Sequence, residues 1–140
     1  MDIKPSNILF DLSLEKIYLS DFGCSVSIEE ATQNPELTLR RTLIFSAPEI
    51  LKGDGGNVEA DVWNAGVTLS YWIFRCFLFV GGDEDQVLES IQSFNFSSFS
   101  ASPISCAKEL KEIIKSLLII DKKKEKQLAN YYIFYIIFFL

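Results

Sequence analysis

Apolar and polar positions change rhythm several times along the chain. Near the start, Ile8-Leu9-Phe10 and Ile17-Tyr18-Leu19 flank a short polar turn, and two runs of this length with a turn between them predict a β-hairpin. Residues 24–46 keep no sustained period and carry Asn34-Pro35 as a turn signal, so they read as a long irregular stretch. Lys52-Gly53-Asp54-Gly55-Gly56-Asn57 reads as a flexible loop. Between Val62 and Val80 the only charge is Arg75. That length is close to a membrane span; the alternative is a helix apolar on every face because it is buried on every face. Asn64, Thr68, Ser70 and Arg75 favour the buried helix, with a start near residue 59.

Gly81-Gly82 closes that stretch, and Asp83 with Gln86 resembles a capping box opening a helix with Val87, Leu88, Ile91 and Phe94 on one side. Residues 95–106 are Ser-rich and read as loop. The strongest period follows: Ala107, Leu110, Ile113, Ile114, Leu117 and Leu118 share one face, opposite Lys108, Glu109, Lys111, Glu112 and Lys115. This is an amphipathic helix covering a core. After a lysine run, Tyr131 to Leu140 holds neither a charge nor a turn former. At ~1.5 Å per residue it is too short to cross a ~30 Å hydrocarbon core, which leaves a docked terminal helix, a membrane-surface segment or translated non-coding sequence. No internal repeat is present. The pattern predicts a mainly α structure with one small β-hairpin.

Composition narrows the function classes. A chain of 140 residues allows one domain with a modest core. The net charge of −6 argues against a nucleic-acid partner, which would need a basic face. There is no histidine, so His-based catalysis is excluded. Cys24, Cys76 and Cys106 form an odd, widely spaced set, which suggests reduced thiols in an intracellular, cytoplasmic setting. Cys24 reads as an ordinary half-buried residue.

Chemistry concentrates at the ends of the hairpin. Asp2-Ile-Lys-Pro-Ser-Asn7 precedes it and Asp21-Phe22-Gly23 follows it. Asp2, Asn7 and Asp21 are hard oxygen ligands suited to Mg2+, and a carboxylate kept off the metal can accept a proton from a hydroxyl. These two motifs, with Ala47-Pro48-Glu49 and with Asp61-Val62-Trp63 and Gly66 further on, stand in the order and spacing of the eukaryotic protein kinase family. The chain resembles the C-terminal lobe of that family over roughly residues 1–126. Within it, 1–23 would be catalytic loop and metal motif, 24–49 the activation segment and 59–120 a helical subdomain, with 127–140 an apolar tail.

The resemblance implies a serine/threonine kinase that moves the γ-phosphoryl group of ATP, with Mg2+, to a protein substrate. Asp2 would accept or orient the substrate hydroxyl proton, and Lys4 would steady the transferred group as a point charge. Thr42 would hydrogen-bond between Asp2 and Lys4. Asn7 and Asp21 would bind metal, Leu9 would lie beneath the adenine, and Asp61 would hold the catalytic loop from behind. Thr32 and Thr38 are candidate phosphosites, with Arg40 and Arg41 either paired to such a phosphate or solvated. Glu49 would meet a cation from Asp121 to Lys126, where the family carries an arginine and this chain carries lysines. Arg41 and Leu43 stand where the family has Gly and Pro around its threonine.

Neither a Gly-rich loop after a strand nor a strand lysine of the family's small lobe is present in the 140 residues. Two function classes therefore follow: a kinase lobe competent when a small lobe is supplied and inactive alone, or a pseudokinase-like interaction module without catalysis. No membrane partner is expected.

Overall fold

The computed structural model describes residues 2–39, 41–95 and 108–118. Along the chain lie a 3-10 turn at Pro5–Asn7, strands β1 (Ile8–Asp11) and β2 (Lys16–Leu19), and a second 3-10 turn at Phe22–Cys24. Helix α1 (Ile28–Gln33) follows, then 3-10 turns at Pro35–Leu39 and Leu43–Phe45. The remaining helices are α2 (Pro48–Leu51), α3 (Val58–Phe74), α4 (Glu84–Gln92) and α5 (Lys108–Leu117).

Helix α3 is the beam on which the rest is laid. Asn57 caps it by accepting from the Ala60 N–H at 3.2 Å, and Glu59 and Asp61 sit in its first turn, where the helix dipole favours negative charge. It ends at Phe74, because Arg75 takes a left-handed conformation (φ 54°) and returns its N–H to the Tyr71 carbonyl at 2.9 Å. The apolar stretch from Val62 to Val80 is thus not one helix. Its last residues turn back under α4, where the Val80 N–H donates to Ser90 Oγ at 3.2 Å and Phe79 stacks on Trp63 at 5.5 Å. No described helix is long and apolar enough to cross a membrane, so the buried-helix reading is the one that holds among the described residues.

Trp63, Val67 and Phe79 are buried at the centre of the core, with Val87 and Ile91 of α4 and Ile114 and Leu118 of the α5 end. Each such side chain contributes ~1.5–3 kcal/mol of burial. At Gly66 α3 and α5 pack closely: a Cβ there would lie 2.8 Å from Leu117 Cβ. The expected face of α5 is buried at Ile114, Leu117 and Leu118, while Ile113 lies at its rim, 38% exposed. In α4, Val87 and Ile91 are buried and Asp83 caps the helix by accepting from the Gln86 N–H at 2.8 Å. The Gln86 side chain donates to the Asp83 carboxylate and accepts from the Gly82 N–H, one residue further out than a capping box requires.

Residues 24–46 depart from the irregular reading. Ser27 and Glu30 form a full capping box that starts α1: Ser27 Oγ accepts from the Glu30 N–H at 3.1 Å and the Glu30 carboxylate accepts from the Ser27 N–H at 3.0 Å. Met1, Arg40, Cys106, most of the Ser-rich 95–106 stretch, the 121–126 region and the apolar tail lie outside the described residues.

The hairpin is antiparallel, pairing Ile8 with Leu19, Leu9 with Tyr18, Phe10 with Ile17 and Asp11 with Lys16. A lone hairpin is marginal in water, and this one is braced from outside: Phe10 packs on Trp72 of α3 at 5.5 Å.

Candidate functional site

The loop before β1 is held by the carbonyls and side chains around it. Thr68, one face of α3, donates its hydroxyl to the Ile3 carbonyl at 3.3 Å. One turn earlier Asn64, its amide oriented by its hydrogen-bond network, gives its nitrogen to the Phe45 carbonyl at 2.7 Å. The polar residues inside the apolar stretch therefore tie α3 to the loop at residue 3 and to the turn at residues 43–45.

These two segments meet at Asp2, which is buried. Its Oδ1 accepts from the Thr42 N–H at 2.9 Å, and its Oδ2 accepts from the Thr42 hydroxyl at 3.1 Å and from Lys4 Nζ. Lys4 Nζ also donates to Thr42 Oγ1 at 2.7 Å. Asp2, Lys4 and Thr42 thus close a three-membered ring across some forty residues of chain. Burial pushes the Asp2 carboxyl up; the bonds from Lys4 and from the Thr42 backbone and hydroxyl outweigh it and hold the carboxyl below its ordinary value. The result is an ionised carboxylate with oriented oxygens, the state required of a proton acceptor.

Asn7 is buried beside it and donates Nδ2 to the Asp2 carbonyl at 2.9 Å. With the nitrogen so committed, the amide oxygen is left as an acceptor; the Ser6 hydroxyl lies 3.5 Å from it. The Asn7 carbonyl accepts from both the N–H and the hydroxyl of Ser20, at 2.8 and 3.1 Å, which brings Asp21 next to Asn7. Asp21 is exposed, in a left-handed conformation (φ 59°) that Asp tolerates better than most residues. Its Oδ1 accepts from the Gly23 N–H at 3.2 Å. A Cβ at residue 23 would stand 3.1 Å from that oxygen, so glycine keeps the carboxylate accessible. The Asn7 amide oxygen and the second Asp21 oxygen are hard donors on two segments that the Ser20 bonds tie together. Among the described residues no cluster of three His, Cys, Asp or Glu side chains adds to them. A Mg2+ ion takes one or two such protein oxygens and completes its shell from water and substrate phosphates, so the pair fits.

The other expected residues fall around this centre. Leu9 is 53% exposed on β1, turned to the face opposite Phe10 and its Trp72 contact. Glu49 is buried in the first turn of α2. Asp61 is half-buried in α3 and lines, with Asn64, Arg41 and Ser46, a cavity of about 100 Å³ behind the turn at residues 43–45. Thr32 is exposed on α1, its hydroxyl bonded to the Ile28 carbonyl, whereas Thr38 is half-buried and donates to the Pro35 carbonyl. Arg41 is half-buried and turns its guanidinium to backbone: Nη1 donates to the Thr38 carbonyl at 2.8 Å and Nη2 to the Ile50 carbonyl at 3.1 Å. The residues that sequence reasoning missed are Asn64 and Thr68 as tethers and Arg41 as a staple; the only signal for the first two was polar character at i and i+4 on an apolar helix.

Comparison with known proteins gives the same direction. The family model of the protein kinase domain matches residues 1–129. A probable myosin light chain kinase of Dictyostelium discoideum is 35% identical over 123 residues, covering 88% of this chain and 25% of that protein. The serine/threonine-protein kinase mos of Patiria pectinifera is 31% identical over 99 residues, covering 68% of this chain and 28% of its own length. The chain thus spans about a quarter of these relatives. A crystal structure of Rad53 in complex with AMP-PNP superimposes with a TM-score of 0.63 at 25% identity, over 94% of this chain and 33% of that one.

Proposed function

The chain belongs to the protein kinase family, and from that premise we propose that it is the C-terminal lobe of a serine/threonine kinase, acting on a protein hydroxyl with ATP as phosphoryl donor. In this reading residues 1–126 are the lobe, 24–49 its activation segment and 59–120 its helical subdomain.

The observation that carries the proposal is the ring of Asp2, Lys4 and Thr42, which supports chemistry over a surface that only binds partners. The Asp2 carboxylate, kept ionised, accepts the proton of the substrate hydroxyl. The Thr42 N–H and hydroxyl aim its two oxygens, and Lys4 places a positive charge beside them for the group in transfer. Asn7 and Asp21 would hold Mg2+, which would supply neutralisation of the phosphate charge. Leu9 offers an apolar face to the base of the nucleotide. Asp61, Asn64 and Thr68 keep the loop and the turn in register from α3, and Glu49 anchors the end of the segment. Thr32, the more exposed of the two threonines, is the better phosphosite. Alone, the 140 residues carry neither the Gly-rich loop nor the strand lysine of the family's small lobe, so transfer by the lone chain is expected to be immeasurable.

Nucleotide binding tests the metal pair. Fluorescence titration with labelled ATP should show weak binding that needs Mg2+ and is lost in Asp21→Ala. Binding that ignores Mg2+, or that survives the substitution unchanged, would contradict the assignment.

A further inference from the structure

Arg41 stands beside Thr42, takes no part in the ring with Asp2, and yet gives both terminal nitrogens of its guanidinium to backbone carbonyls. The two carbonyls it binds belong to different turns. Thr38 lies near the end of the 3-10 turn Pro35–Leu39, and Ile50 lies in the last turn of α2. The Ile50 carbonyl also accepts from the Gly53 N–H at 3.0 Å, and the guanidinium reaches it and the Thr38 carbonyl through the arms of one rigid planar fork, a geometry that a flexible ammonium does not fix. Burial in the cleft lowers the guanidinium's affinity for its proton, with the Glu84 carboxylate opposing the effect, and Nε is buried without a hydrogen-bond partner among the described residues. A cation accepts such a place only where its bonds hold it there.

Thr42 needs to be held on both sides. Its carbonyl is fixed from the C-terminal side, accepting from the Phe45 N–H at 3.0 Å and the Ser46 hydroxyl at 3.2 Å. On its N-terminal side the described tether is the Arg41 side chain. We propose that Arg41 is a positioning residue: by stapling Thr38 to Ile50 it fixes the peptide that enters Thr42, so that the Thr42 N–H and hydroxyl meet the Asp2 carboxylate. It touches no reacting group and acts through Thr42. The inference rests on the reading of Asp2 and Thr42 given above, but its test reads geometry and not phosphate transfer, so the two fail separately.

Hydrogen exchange followed by mass spectrometry on the full chain at low concentration distinguishes positioning from general support. In Arg41→Ala the Thr42 amide should exchange at least tenfold faster than in the unaltered chain, while amides of α3 keep their protection. A merely structural role would loosen α3 together with Thr42. Protection at Thr42 equal to that of the unaltered chain would overturn the proposal. Should Arg41→Ala loosen α3 as well, Arg41→Lys decides, since it keeps the stem and charge and loses the fork. Faster exchange at Thr42 with α3 intact in that variant upholds the proposal, and any other result overturns it.

Discussion

Burial raises the Asp2 carboxyl pKa and three donors outweigh it, two of them from one residue. The Thr42 hydroxyl accepts from Lys4 and donates to Asp2 at once, so its loss leaves both charges less satisfied. Thr42→Val should lower stability by about 1.5–3 kcal/mol, the range for hydrogen bonds to charged groups, with Thr42→Ser close to the unaltered chain. Urea denaturation measures this, and a valine variant as stable as the threonine chain would show that the ring is not held by that hydroxyl. The meeting of Asp2, Lys4 and Thr42 was legible in the sequence because their motif positions place those side chains together, and Asn7 and Asp21 are proposed as metal ligands from the same motifs. Arg41 was not legible, because its partners are carbonyls, and carbonyls are the same at every residue.

Among the elements, α1 shows how a short helix is specified by its end. Only Ala31 is buried along it, so it has no apolar stripe to find, and the cap is what starts it. Glu30 is held below its ordinary value by the Ser27 backbone N–H and then by the Ser27 hydroxyl. Such a group stabilises the folded form above the ordinary carboxyl value of 4.5 and loses that contribution as the pH falls through its lowered folded value. Protection factors of the α1 amides should therefore drop as the pH is taken below that range. In Glu30→Gln, which keeps a capping side chain without a titration, the drop should disappear; an unchanged pH profile in that variant would refute the role. Helix α5 was readable because six apolar residues repeat on one face. The end of α3 was not, because Arg75 takes the left-handed position usually given to glycine.

For the whole molecule, the core gathers around α3 and leaves apolar side chains on both faces of the hairpin largely uncovered. Leu9, Phe10, Leu12, Leu14 and Phe22 are all more than half exposed, Leu12 at 88%, and an apolar patch of this kind promotes association. In the proposed lobe reading, a small lobe would cover Leu9 and Phe22. Light scattering of the 140-residue chain should show oligomers that grow with concentration, and a monomer persisting at high concentration would contradict this. The most direct measurement is transfer of radiolabelled phosphate from ATP to a generic protein substrate. It is made on the lone chain, on the chain with a kinase small lobe joined in frame ahead of it, and on the same fusion carrying Asp2→Ala. The expected result is no transfer by the lone chain, clear transfer by the fusion, and a loss of about a hundredfold or more on removing the carboxylate. Transfer by the lone chain that vanishes with Asp2, or transfer by the fusion that is indifferent to Asp2, would contradict it.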